Sequence, residues 1–211
     1  MTSEALKQRL ERCAQTPSPG FGENPYLVGG RPLSPPRGVK PKESEVLILL
    51  YPNAQGQWHI PLIKRSSGGG VHDHQMGLPG GKIEPLDTHK GAAAQREMME
   101  ELGVKSEAYH LIAALSPLYI PPSNFWVQAF VAISERPLEF VREVKEVASV
   151  HPMPLSKVFP EPEIGQRRLS LASGMSLNTK GFWLEQEWVW GATAIMLGEF
   201  SAWISAPDGS R

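Results

Sequence analysis

The order of apolar and polar residues divides the chain into strand-like and helix-like stretches. Continuous or alternating apolar residues predict strands in five stretches, at 44–51, 58–64, 109–115, 125–133 and 182–189. Helical spacing and stop signals predict helices at 3–13, 88–102, 154–159 and 191–204. Because strands and helices do not alternate regularly, we expect an α/β fold with a mixed sheet.

The N-terminal part of the chain has a different character. Ser3 is a candidate N-cap for the first helix, in which Leu6 and Leu10 share one face. Proline and glycine are dense in 16–41, which predicts a loop or an extended arm. We therefore divide the chain into an N-terminal helix and arm, 1–41, and one larger domain, 42–211.

Charge and composition exclude several classes of function. A formal net charge of −1 provides no basic field for nucleic acid. The longest apolar run, 46–51, is too short to span a bilayer, and the N-terminus has no signal-peptide pattern. Cys13 is the single cysteine, which fits a reducing compartment. We expect a cytoplasmic protein that binds neither nucleic acid nor membranes.

A group of carboxylates is the strongest chemical signal. Glu97, Glu100 and Glu101 are spaced to lie on one face of the predicted helix at 88–102, where three like charges repel. Hard divalent cations prefer carboxylate oxygens and offset such repulsion. Arg96 lies four residues before Glu100 and is placed to orient its carboxylate. The residues expected to face a core on the other side are Met98, Met99 and Leu102.

Together with the Pro-Gly-Gly turn at 79–81, this helix resembles the Nudix box, G-x5-E-x7-R-E-U-x-E-E-x-G-U, where U is apolar. Asp87 stands at the position of the first Glu, and the spacer to Arg96 is one residue longer than usual. The turn and the longer spacer are similar to the coenzyme A diphosphatase branch of the Nudix hydrolases. The residues at the other fixed positions are Gly81, Arg96, Glu97, Met98, Glu100, Glu101, Gly103 and Val104.

Residues on either side of the box extend this resemblance. Arg65, His72 and Gln75 match the spacing of the coenzyme A diphosphatase pattern before the glycine turn, whereas His74 stands where that pattern usually has glycine. A zinc site made of His72, His74 and His89 is disfavoured, because no thiolate or suitably spaced further ligand joins them. The Trp-Gly-x-Thr-Ala stretch at 190–194 is similar to a C-terminal stretch of the same branch.

The resemblance implies an α/β/α sandwich and metal-assisted hydrolysis of a diphosphate linkage with Mg²⁺ or Mn²⁺. The metal ligands that it implies are Glu97, Glu100, Glu101 and the Gly81 carbonyl. The candidate catalytic residues are Glu100, Arg96, Glu143 and Glu146, with Arg96 orienting the glutamates and one glutamate accepting a proton from water. The candidate substrate-binding residues are Arg65, His72, Gln75 and Lys82.

The implied substrate is a small nucleotide-type molecule, namely coenzyme A or an acyl derivative, cleaved to 3′,5′-ADP and (acyl-)4′-phosphopantetheine. Arg65, Lys64 or the pair Arg167 and Arg168 would hold the 3′-phosphate, and the sequence does not decide between them. Two alternatives stay open: a Nudix hydrolase acting on another nucleotide, and a non-catalytic Nudix nucleotide-binding module. Nudix domains often form homodimers, so a second copy of the chain is also an expected partner.

Overall fold

The computed structural model describes residues 2–66, 74–170 and 176–206. These residues form three α-helices, which are α1 Ser3–Ala14, α2 Ala92–Leu102 and α3 Gly191–Ser205. The strands are β1 Lys42–Pro52, β2 Trp58–Arg65, β3 Met76–Gly77, β4 Gly80–Lys82, β5 His110–Ala114, β6 Leu118–Ile120, β7 Phe125–Ile133, β8 Val147–Pro154, β9 Gly165–Ser170, β10 Ser176–Leu184 and β11 Glu187–Trp190. No helix in these ranges has the length and hydropathy that a membrane span requires.

Eight of the strands form a mixed sheet with the central order β3-β2-β1-β7-β5. The pair β1 and β7 is parallel, whereas β2 and β4 both run antiparallel to β1. Strand β6 joins β7, and strand β8 joins β2. The last three strands form a separate antiparallel sheet in the order β11-β10-β9. The predicted mixed sheet is confirmed.

Strand β1 separates two hydrophobic cores. Its alternating side chains point to opposite faces of the sheet, so Ile48 and Leu50 enter one core while Leu47 and Leu49 enter the other. The first core also contains α1, α3 and the inner face of the three-stranded sheet. The second core contains the apolar side of α2. This arrangement is the α/β/α sandwich, and in the described parts of the chain α2 is the one α-helix that packs on its face of the central sheet.

Helix α1 packs into the first core rather than standing apart from it. Leu6 and Leu10 are fully buried there, and Tyr26 of the following arm is buried with them. The N-cap is Thr2, whose hydroxyl accepts a hydrogen bond from the Ala5 N–H at 3.2 Å, so the expectation of Ser3 was wrong by one residue. The boundary at residue 41 stays a prediction.

Several boundaries differ from those expected. Helix α2 begins at Ala92 rather than near residue 88. Gly91 has a left-handed backbone conformation (φ +88°), which is incompatible with a position inside a right-handed helix. The single strand expected at 182–189 is two strands, β10 and β11, which are separated by a turn at Glu185 with φ +54°. Strands β8 and β9 were not predicted. The helix expected at 154–159 is a single 3₁₀ turn, Leu155–Lys157.

Candidate functional site

The glycine turn forms the floor of the site. Gly80 and Gly81 lie in β4 and pair with Val46 and Glu45 of the central strand. The backbone of Gly80 has φ +149°, and a Cβ there would lie 2.3 Å from the Glu45 carbonyl oxygen. Its N–H donates a hydrogen bond to Glu101 Oε2 at 2.9 Å. The turn therefore approaches the central strand as closely as only glycine permits, and it holds one carboxylate of α2 directly.

Gly81 has a different neighbour. A Cβ on Gly81 would lie 2.0 Å from Glu97 Oε1, so the carboxylate of Glu97 occupies the space that a side chain would fill. The absence of a side chain at Gly81 thus makes room for an α2 carboxylate directly against the turn.

Three glutamates converge at this point. Glu97, Glu101 and Glu146 each offer a carboxylate oxygen, and these oxygens all lie within 4.8 Å of one another. Glu97 and Glu101 come from α2, whereas Glu146 comes from the segment that precedes β8. The Ser66 N–H donates to the Glu146 carbonyl at 2.9 Å, which joins this segment to the end of β2. Three carboxylates at this separation repel one another unless a cation lies among them or one of them binds a proton.

Two of the predicted glutamates lie outside this group. The Glu100 carboxylate is more than half exposed and accepts a hydrogen bond from Arg96 Nη1 at 2.8 Å. The Glu143 carboxylate accepts the Lys145 N–H at 3.1 Å, while its own N–H donates to the Glu101 carbonyl at 2.9 Å. The structure therefore brings Glu146, rather than Glu143, to the α2 carboxylates.

Glu101 is the most constrained of the three. Its side chain is 1% exposed, and Oε1 has no hydrogen-bond partner within the described ranges. The nearest cation is Arg65, with Nη1 3.9 Å from Oε1. Burial raises the pKa of Glu101 to about 8, with Arg65 and the Gly80 N–H acting in the opposite direction. Burial also raises the pKa of Glu97, and its contact with Arg96 opposes that rise.

Arg96 connects the helix to the loop that follows the turn. Its guanidinium donates to both oxygens of Asp87 at 3.2 Å, to Glu97 at 2.9 Å and to the Lys82 carbonyl at 3.0 Å. The hydrogen bonds from Arg96 lower the pKa of Asp87, and Asp87 in turn raises the pKa of Arg96. Asp87, at the position of the motif's first glutamate, thus fixes the Arg96 guanidinium.

The apolar side of α2 is narrower than expected. Met98 and Leu102 are fully buried in the second core, but Met99 is 44% exposed, so its predicted place in the core was wrong. Successive residues of a helix turn by about 100°, which places Met99 beyond the sector that Met98 and Leu102 share.

Of the predicted substrate-binding residues, Arg65 ends β2, Gln75 directly precedes β3, and Lys82 ends β4. The backbone of Arg65 pairs with the segment that precedes β3. Its N–H donates to the Gln75 carbonyl and its carbonyl accepts from the His74 N–H, both at 3.2 Å. His74 has φ +58°, which explains why glycine is usual at this position of the motif. His72 lies outside the described residues. His89, from the disfavoured zinc set, contacts Gln95 at 3.2 Å.

One buried residue of the site was missed by the sequence reasoning. Glu45 lies in β1, opposite Gly81, and its carboxylate accepts the N–H groups of Gly91 and Ala93 at 3.0 Å each. A charged residue at the start of an otherwise apolar strand was the available signal. Its partner, the start of α2, is distant in sequence.

Comparison with known proteins agrees with this geometry. A family model described as NUDIX domain matches residues 41–171. The chain belongs to the Nudix family. The uncharacterized Nudix hydrolase NudL of Enterobacter sp. (strain 638) is 31% identical over 170 residues, which are 77% of this chain and 83% of that relative. The family and its relatives identify this Nudix protein as a hydrolase.

Two further comparisons are more limited. Chloroplastic Nudix hydrolase 22 of Arabidopsis thaliana is 37% identical over 90 residues, which cover 43% of this chain and only 30% of that relative. A MutT/nudix family protein from Enterococcus faecalis superposes with a TM-score of 0.50 and 18% identity, covering 80% of this chain and 64% of that one. This second likeness supports the Nudix fold alone.

Proposed function

We propose that this Nudix hydrolase cleaves a diphosphate linkage in a nucleoside diphosphate derivative, and that coenzyme A or acyl-coenzyme A is its substrate. The products would be 3′,5′-ADP and (acyl-)4′-phosphopantetheine. The observation that carries the hydrolytic part is the convergence of Glu97, Glu101 and Glu146, together with a buried oxygen of Glu101 that has no hydrogen-bond partner among the described residues.

The donor set fits Mg²⁺ or Mn²⁺. Carboxylate oxygens are the ligands these ions prefer, and a buried acceptor without a partner is costly unless a cation or a proton meets it. Glu97, Glu101 and Glu146 would hold the metal, and Glu100 and the Gly81 carbonyl remain proposed further ligands. When bound, the ion would neutralise the diphosphate and make a bound water more acidic.

The chain's own residues have distinct proposed roles. Arg96 keeps Glu97 and Glu100 in place, since it donates to both carboxylates. Glu146 lies beside Glu101 and is exposed to solvent, so it is better placed than Glu143 to accept a proton from the attacking water. Arg65 supplies a positive charge near Glu101 and would contact a phosphate oxygen of the substrate.

Support for coenzyme A comes from the spacing of Arg65 and Gln75 before the turn and from the longer spacer before Arg96. The 3′-phosphate needs cations of its own. Lys64 is bound to Glu187 at 2.6 Å, and the Arg167 guanidinium lies over the Trp183 ring at 5.0 Å. Arg168 lines an open groove of about 300 Å³ on β9 and β10, and the other residues lining it, none of them acidic, are Val28, Gln166, Arg167, Asn178, Thr179 and Lys180. Arg65, which lies beside Glu101, and Arg168, which lies in this groove, are therefore the candidates for the 3′-phosphate.

The deciding assay compares coenzyme A with dephospho-coenzyme A in Mg²⁺ and in Mn²⁺. We expect both to be cleaved, with a lower KM for coenzyme A. The variants Arg65→Gln and Arg168→Gln then identify the arginine that binds the 3′-phosphate, as the one whose loss removes this difference in KM. Glu101→Gln should lower kcat by about 100-fold or more, because it removes a group that holds the metal. Glu107→Gln, an exposed carboxylate outside the site, is the matched control and should leave kcat unchanged.

Different results would favour the alternatives. Cleavage of other nucleoside diphosphates or triphosphates, but not of coenzyme A, would leave the chemistry intact and reject the substrate. Unchanged turnover in Glu101→Gln would reject the metal site. If no compound in a broad diphosphate panel were cleaved with either metal, a non-catalytic binding role would replace hydrolysis.

A further inference from the structure

Glu45 joins the central sheet to the helix that carries the site. Its side chain is buried on β1, and its carboxylate accepts hydrogen bonds from Gly91 and Ala93 at 3.0 Å, with Ala94 at 3.5 Å. These N–H groups belong to the N-cap Gly91 and to the second and third residues of α2, whereas the N–H of Ala92 donates to the His89 carbonyl at 3.1 Å. A strand carboxylate thus performs the capping that a residue at the start of the helix usually performs.

Helix α2 has no substitute for this contact at its own start. Its N-cap is Gly91, which has no side chain to accept a hydrogen bond, and the first turn contains no acidic residue. The N-terminal N–H groups carry the positive end of the helix dipole and need an acceptor where they are buried. Among the described residues, Glu45 provides it.

The same residue also contacts the glycine turn. Glu45 pairs with Gly81 across the β-ladder, and its carbonyl oxygen is the atom against which Gly80 packs. The turn is in contact with the helix at two further points, through Glu97 against Gly81 and through Glu101 with the Gly80 N–H. The distance between turn and carboxylates is therefore set by where α2 begins relative to β1.

We propose that Glu45 is a positioning residue for the hydrolytic site, which holds the start of α2 against β1 so that Glu97 and Glu101 meet the glycine turn. Loss of its carboxylate would leave two or three N–H groups without acceptors, and the first turn of the helix would open. The α2 carboxylates lie one to three turns further along the same rigid element, so they would move with it.

Amide hydrogen exchange in the metal-free protein tests this without any turnover. In Glu45→Ala, we expect exchange at Gly91 and Ala93 to accelerate by about tenfold or more, because hydrogen bonds to a charged group are lost. Exchange at Gly80, whose N–H is held by Glu101, should accelerate as well. Glu45→Gln, which retains one acceptor oxygen, should show smaller changes at all three amides.

Glu43→Gln is the matched control. Glu43 lies two residues earlier on the same strand and is exposed, so its loss changes the charge equally without touching α2. The proposal is overturned if Glu45→Ala affects Gly91 and Ala93 but leaves Gly80 as slow as in Glu43→Gln, because Glu45 would then cap the helix without positioning the site. Glu45→Gln decides the same question if the alanine variant does not fold.

Mn²⁺ binding, measured by calorimetry, gives a second readout that rests on the proposed function. We expect Glu45→Gln to weaken binding by about 10-fold to 100-fold, as is typical of residues that orient metal ligands, and Glu43→Gln to leave it unchanged. Equal affinities in both variants would contradict the positioning role. If the wild-type protein bound no Mn²⁺, the proposed metal site would fail, while the exchange at Gly80 would still decide the role of Glu45.

Discussion

Gly80 and Gly81 are adjacent in the chain, but each is required for a different reason. A side chain on Gly80 would meet the backbone of Glu45 at 2.3 Å, in a conformation that L residues rarely adopt. A side chain on Gly81 would instead meet the carboxylate of Glu97 at 2.0 Å, the mobile end of a side chain. Glycine at position 80 is therefore required for folding, whereas glycine at position 81 is required for the position of the Glu97 carboxylate.

Alanine substitutions should separate these two constraints. We expect Gly80→Ala to lower the free energy of unfolding by about 2 kcal/mol or more, because its backbone is strained for any other residue. Gly81→Ala should change stability much less but lower kcat by about 10-fold to 100-fold, because Glu97 is displaced. Urea unfolding and steady-state kinetics measure the two effects.

Gly77→Ala serves as the control, because nothing lies within 4 Å of the added carbon. It should affect neither quantity strongly. Full activity in Gly81→Ala would show that Glu97 does not need its position against the turn.

The buried Glu101 carboxyl makes the stability of the metal-free protein depend on pH. Its pKa is about 8 when folded, against an ordinary value of 4.5, so the folded state binds more protons between these values. Its contribution to the free energy of unfolding therefore falls as pH rises from 4.5 towards about 8, and it is constant above that. Glu101→Gln should remove this slope in urea unfolding with a chelator present. If the free energies of unfolding of the wild-type protein and of Glu101→Gln differ by the same amount at every pH between 4.5 and about 8, this pH dependence does not come from Glu101.

At the scale of elements, long apolar strands were predictable and short or paired ones were not. Strand β7 has the predicted bounds, β2 extends one residue further, and α3 begins at the predicted residue, since their apolar pattern is continuous. Strands β8 and β9 form only through pairing with distant or neighbouring strands, and β8 contains two prolines that a strand pattern disfavours. Their existence depends on partners that a local pattern cannot contain.

The helix α2 shows both outcomes within one element. The spacing of its glutamates and of Met98 and Leu102 predicted a helix with one acidic and one apolar side, and both sides are present. Its start was missed by four residues, since Gly91 and the buried Glu45 decide where it begins. A cap provided by another strand leaves no trace in the residues that precede the helix.

At the scale of the whole molecule, the N-terminal segment contributes to the main core. Leu6 and Leu10 of α1 are fully buried beside residues of α3 and the central sheet. Truncating a fully buried leucine removes packing and leaves a cavity. Helix α1 is therefore expected to unfold together with the rest of the chain.

We expect Leu10→Ala to lower the free energy of unfolding by about 2–5 kcal/mol, in a single cooperative urea transition. Leu86→Ala is the matched control, because Leu86 is 87% exposed and its loss should change stability little. A separate early transition in the wild-type protein, or equal effects of the two substitutions, would show that α1 is an independent appendage.

The Nudix box was predicted from a resemblance to a known family. The mixed α/β fold and the Arg96–Glu100 pair were predicted from apolar patterns and helical spacing, which depend on neighbours within a few residues. The selection of Glu146 over Glu143, the burial of Glu101 and the contact of Glu45 with the start of α2 became visible in the folded chain. Each depends on which distant segments meet across the sheet, and desolvation and hydrogen bonding act only after they have met.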